Sequence, residues 1–111
     1  MGQATYQDEA IRALNALRAE RGLPPMIVNA ALMANSLAQA QRMAAAGYEY
    51  HSTVDLPGCE SVARIPYNSP AKLLGETLGK HTPQFLESSR STVGIAVVRK
   101  GNYLYAVMQG V

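Results

Sequence analysis

The sequence has no tryptophan, one phenylalanine and one cysteine in 111 residues. A single thiol excludes an intramolecular disulfide, so the fold must close on packing alone. With so little aromatic bulk, aliphatic side chains, alanine and six tyrosines have to fill the core. No uninterrupted apolar run approaches the ~18 residues of a membrane span, which excludes a transmembrane helix. Lysine and arginine form no run and the net charge is only +2. Such a chain carries neither a nucleic-acid footprint nor a polybasic membrane anchor. Met1-Gly2-Gln3 lacks the charged and apolar regions of a signal peptide. The expectation is a chain from which any leader has already been trimmed.

What is present is a globular composition, 48% hydrophobic and 16% charged. At this length a core can form without metals or cross-links, and one domain over residues 1–111 is expected. Tyr6, Ala10, Leu14 and Leu17, with Ile11 beside them, recur at helical spacing and predict a helix over about 6–21. Asp8 and Glu9 fall in its early turns and Arg18 and Arg21 in its last, as the helix dipole favours. Gly22 and Pro24-Pro25 stop it. Asn29 is an N-cap for a second helix, in which Met33, Leu37, Ala40 and Ala44 form a stripe that Gly47 ends. Residues 48–57 read as irregular, and 60–65 as a short strand. Ser69-Pro70 starts a third helix over about 70–78, with Leu73, Leu74 and Leu78 inward.

Two strands close the chain, Thr92–Arg99 and Tyr103–Gln109, joined by a tight turn at Lys100-Gly101-Asn102. Both faces of both strands are apolar, whereas an antiparallel sheet with one wet face alternates with polar residues. The hairpin must be covered on both sides. The expected class is therefore α+β, a three-layer α–β–α sandwich around a central antiparallel sheet. Gly94 is assigned to close packing and Gly101 to the turn.

Several segments, in order, resemble the CAP superfamily of cysteine-rich secretory, antigen 5 and pathogenesis-related proteins. They are Leu14-Asn15-Ala16-Leu17-Arg18 with Gly22-Leu23-Pro24-Pro25, and the Ala-rich helix ending Met43-Ala44-Ala45-Ala46-Gly47, followed by an aromatic pair and His51-Ser52. Cys59-Glu60-Ser61-Val62-Ala63 is similar to the family's Gly-Glu-Asn-Val/Ile-Ala element, and His81 with Phe85-Leu86 to its Ser-Pro-Gly-His element. The closing hairpin completes the set. The resemblance implies the same sandwich. The departures are specific: Cys59 replaces Gly, Ser61 replaces Asn, Gly75 stands where the family has Trp, and the second cavity Glu is missing near Pro70.

The resemblance places His51, Glu60 and His81, the chain's only histidines and one acid, at the family's cavity, with Tyr50 and Ser52 beside them. Two imidazoles and a carboxylate are a donor set suited to zinc with one position open. Their separations, nine and twenty-one residues, are not helical ligand spacings. A metal-free His–Glu–His hydrogen-bond cluster is the other reading of the same residues. Cys59 precedes Glu60 on a strand, so its side chain points to the opposite face and is expected to pack as a small apolar group. Tyr48, Tyr50 and Tyr67 flank the cleft elements.

Two functional classes follow. One is a small secreted or cell-envelope domain that binds a lipid-like or other small apolar ligand, or a protein partner, through a cleft near His51, Glu60 and His81, without catalysis. The other is a zinc-dependent hydrolase with His51 and His81 as ligands and Glu60 as ligand or base. No Gly-x-Ser-x-Gly elbow accompanies Ser52.

Overall fold

The computed structural model describes residues 3–52 and 58–111. Its elements run α1 (Gln3–Glu20), β1 (Ile27–Val28), α2 (Ala30–Ala46), β2 (Cys59–Pro66), α3 (Ala71–His81), a 3-10 turn (Pro83–Leu86), β3 (Thr92–Lys100) and β4 (Tyr103–Gly110). The four strands form one sheet in the order β1-β3-β4-β2. The β2–β4 and β3–β4 pairings are antiparallel, and β1 joins the far edge in parallel. Of the irregular stretch expected over 48–57, residues 48–52 are described and carry no helix or strand. The rest lies outside the described residues.

Strand alternation sends two separate apolar sets to the two faces. Val93, Ile95, Val97, Leu104, Ala106 and Met108 meet Ala10, Ile11 and Leu14 of α1 and Leu74 and Leu78 of α3. Ala96, Tyr105 and Val107 meet Ala40, Met43 and Ala44 of α2. The doubly apolar hairpin is thus covered on both sides, which makes the α–β–α sandwich.

Helix α2 has the limits its caps dictate. The Asn29 side chain accepts from the Leu32 amide, and Gly47 takes a left-handed φ of 85° while its amide closes on the Met43 carbonyl. Gly94 lets α2 approach the sheet, because a Cβ there would run into the backbone at Leu32–Met33. Gly101 takes the positive φ of the hairpin turn.

Four expectations need correction. Helix α1 begins at Gln3, so Asp8 and Glu9 lie beyond its first turn, which holds no acid. Helix α3 runs to His81; Pro70 is its N-cap, and no side chain caps it. Ser69 instead lends its carbonyl to the Tyr6 hydroxyl. Leu73 is 52% exposed, because the face of α3 turned to α1 carries Ala71, Leu74, Gly75 and Leu78, and position 73 falls off it. Strand β1 was not expected: it is two residues, too short for any periodicity to show.

Gly75 is where α3 crosses α1. A Cβ there would strike the Ala10 backbone carbonyl. A bulky residue cannot occupy this position at this crossing distance. Replacing Gly75 by Ala is expected to destabilise the protein by about 2 kcal/mol despite better helix propensity. Denaturant unfolding checks this, and an unchanged or raised midpoint contradicts the close crossing.

Candidate functional site

The site is assembled where the chain leaves α2 and enters β2. After Gly47 turns the chain, the Tyr48 and Tyr50 rings pack 5.1 Å apart. The buried Gln39 amide of α2 donates to the Tyr50 carbonyl at 2.8 Å and accepts from Arg42 Nε at 2.9 Å. These bonds fix the path of residues 48–50 and deliver His51 and Ser52 to Glu60.

Glu60 lies opposite Gln109 in the β2–β4 register, so both side chains share the α2 face. Its Oε1 accepts from the Ser52 amide at 2.8 Å and lies 3.0 Å from His51 Nδ1. Its Oε2 accepts from the Ser52 hydroxyl and from Gln109 Nε2 at 2.9 Å. Four donors therefore converge on one carboxylate whose side chain is 5% exposed. An ionised carboxylate only accepts, so His51 carries its proton on Nδ1 and Gln109 turns its NH2 inward. Burial alone raises the Glu60 pKa. The bonds from the Ser52 hydroxyl and amide, Gln109 and His51 outweigh it, and the carboxyl is held below its ordinary value.

The expected residues do not all meet. His51, Ser52 and Glu60 come together, and Tyr50 joins through its backbone. His81 is exposed at the last residue of α3, and its imidazole makes no hydrogen bond with a described residue. Its neighbour Thr82 donates instead to the Glu60 carbonyl at 3.2 Å, closing the end of α3 onto β2. Among the described residues no three His, Cys, Asp or Glu side chains are grouped closely enough to hold a metal. The zinc that the family likeness implies does not fit this arrangement, because the four donors already engage both Glu60 oxygens. The Cys59 side chain packs against the core on the α1–α3 side, and burial pushes its thiol pKa up.

Gln109, Gln39 and Arg42 complete the cluster and were not foreseen. A signal for Gln109 existed: it is the one polar side chain in an otherwise apolar strand, on the same face as Val107 and Tyr105.

A separate apolar pocket of about 240 Å³ opens between α1 and α2 beside β3, lined by Gln7, Met33, Ala34, Leu37, Ile95 and Ala96. It exists because β1 pairs only with Thr92 and Val93. Beyond that point side chains cap the strand edge: the Ile95 amide donates to Met33 Sδ at 3.2 Å and the Val97 amide to Gln7 Oε1 at 3.1 Å.

Residues 11–109 match the family model of the cysteine-rich secretory protein family, CAP. Comparison with curated proteins finds no match. Among solved structures, the chain is similar to a hookworm platelet inhibitor, with 14% identity and a TM-score of 0.66 over all of this chain and 70% of that one. It is also similar to a cysteine-rich secretory protein from Staphylococcus aureus subsp. aureus Mu50, with 16% identity and a TM-score of 0.56. That match takes in 97% of this chain but 38% of the staphylococcal one. At these identities the likeness establishes the shared fold.

Proposed function

The chain belongs to the cysteine-rich secretory protein (CAP) family, and from that premise we propose that it is a small secreted or cell-envelope domain that binds rather than catalyses. The observation that carries this reading is the state of Glu60. A general base or metal ligand needs a free lone pair directed at substrate or metal. Both Glu60 oxygens are instead committed to Ser52, His51 and Gln109. The Ser52 hydroxyl donates to that carboxylate and not to His51, so it is not an activated nucleophile. The cluster acts as a clasp that ties the segment after α2 to the sheet.

The ligand class is a small apolar or lipid-like molecule, and the feature that supports it is the apolar pocket beside β3. Its lining is aliphatic apart from Gln7, which suits a short acyl chain or ring held by contact. No helix among the described residues is long and apolar enough to cross a membrane.

A fluorescent fatty-acid probe titrated into the protein tests the assignment. Wild type is expected to bind, and Ala34→Trp, which fills the pocket mouth, to lose about tenfold in affinity, or about 1.4 kcal/mol. Absence of probe binding, or an unaffected Ala34→Trp, contradicts the pocket. Zinc titration by calorimetry tests the hydrolase reading: stoichiometric binding that vanishes in His51→Ala and His81→Ala would replace the present proposal.

A further inference from the structure

The hairpin end of the sheet carries an arrangement that the pocket and the clasp do not use. On the α2 face the Arg64 guanidinium lies 4.4 Å from the centroid of the Tyr103 ring. On the opposite face Arg99 lies 4.2 Å from that of Tyr67. The two pairs flank the turn at Lys100-Gly101-Asn102, and the Tyr67 amide donates to the Asn102 carbonyl, which holds the end of β2 against it. Arg64, Tyr67, Arg99, Lys100 and Tyr103 are all exposed.

Each guanidinium is fixed twice. A ring lies beneath it, and one backbone carbonyl pins it: Arg64 Nη1 donates to Gly47 at 3.1 Å, and Arg99 Nε to Gly101 at 3.2 Å. The remaining N–H groups of both have no acceptor among the described residues. No carboxylate among those residues pairs with Arg64, Arg99 or Lys100; the nearby Glu49 carboxylate accepts from the Arg64 backbone amide instead. A chain of net charge +2 thus places Arg64, Arg99 and Lys100 at one end with Glu49 as the acid beside them, an excess of two positive charges.

We propose that this end of the sheet docks an acidic peptide segment of a partner protein, with carboxylates received by the free edges of Arg64 and Arg99. A planar guanidinium held on an aromatic face offers its N–H fork to a carboxylate with little rotamer entropy left to lose. Exposed Tyr and Arg together are also the residue types that anchor protein–protein contacts. Three cations split across two faces do not follow a polyanionic backbone, which favours a short acidic segment over a nucleic acid or sulfated glycan.

The test is titration of the intact protein with a twelve-residue Glu/Asp-rich peptide, followed by amide NMR shifts and calorimetry at low and high salt. Shifts are expected at Gly101 and Asn102, with affinity falling as salt rises. Arg64→Gln/Arg99→Gln is expected to lower affinity at least about tenfold. Arg12→Gln/Lys72→Gln, which removes the same charge elsewhere, is expected to leave it unchanged. Shifts outside the hairpin end, an equal loss in the two double variants, or binding of heparin without binding of the peptide would overturn the proposal. The shift map is read on wild type, so it decides even if the arginine variants do not fold.

Discussion

Arg18→Met is expected to lower the unfolding free energy by about 4 kcal/mol, the largest loss from any single side chain here. Arg18 is 0% exposed, and no carboxylate among the described residues forms an ion pair with it. Its Nε donates to the Pro24 carbonyl at 2.9 Å, Nη1 to Phe85 at 2.7 Å and Glu87 at 3.1 Å, and Nη2 to Arg90 at 3.0 Å. Four carbonyls from two loops, the one after α1 and the one before β3, depend on one guanidinium. Methionine keeps the apolar stem and avoids a stranded charge, but takes the donor from four carbonyls, the Phe85 bond fully buried and the other three part-buried. Arg18→Lys is expected to do no better, since one ammonium cannot reproduce the fork and its charge stays buried. Guanidinium chloride unfolding checks both. A loss below about 1 kcal/mol for Met, or a near-neutral Lys, contradicts the role given to the fork.

The second large effect belongs to Glu60. Glu60→Ala removes the acceptor of four hydrogen bonds and is expected to cost about 3 kcal/mol at neutral pH. The pH dependence carries the sign. The folded pKa of Glu60 lies below its unfolded value of about 4.3. Its contribution is therefore fully present above that unfolded value and is lost as pH falls through the folded one. Glu60→Ala and wild type should differ most above the unfolded value and approach each other in stability as pH falls through the lower, folded one.

Much of this architecture was legible because local rules and tertiary packing agree. Asn29 and Gly47 bound α2 by capping chemistry alone. The closing strands, apolar on both faces, require helices on both sides. Where the sequence misled, the deciding contact was distant. Arg18 reads as a cation suited to a helix C-terminus, and nothing near it announces that residues 85–90 fold back over its head. Leu73 and Leu74 are equivalent in a periodicity count, and only the line of the α1–α3 crossing through Gly75 separates them. In the site, His51, Ser52 and Glu60 were found through a family likeness, not a spacing. Gln109 stands out as a polar residue in an apolar strand, but its pairing with Glu60 is set by strand register, a distant relation. The same likeness pointed to His81, yet α3 continues to that residue and delivers Thr82, not the imidazole, to Glu60.

The central claim is that Glu60 serves as an ionised structural clasp. Its most direct test is equilibrium unfolding of wild type and Glu60→Gln from pH 3 to pH 7. The account predicts a stability gap of about 2 kcal/mol at pH 7 that closes as pH falls through the depressed Glu60 pKa. A Glu60→Gln protein as stable as wild type at pH 7, or a gap that does not change with pH, would show that the carboxylate does not hold the fold.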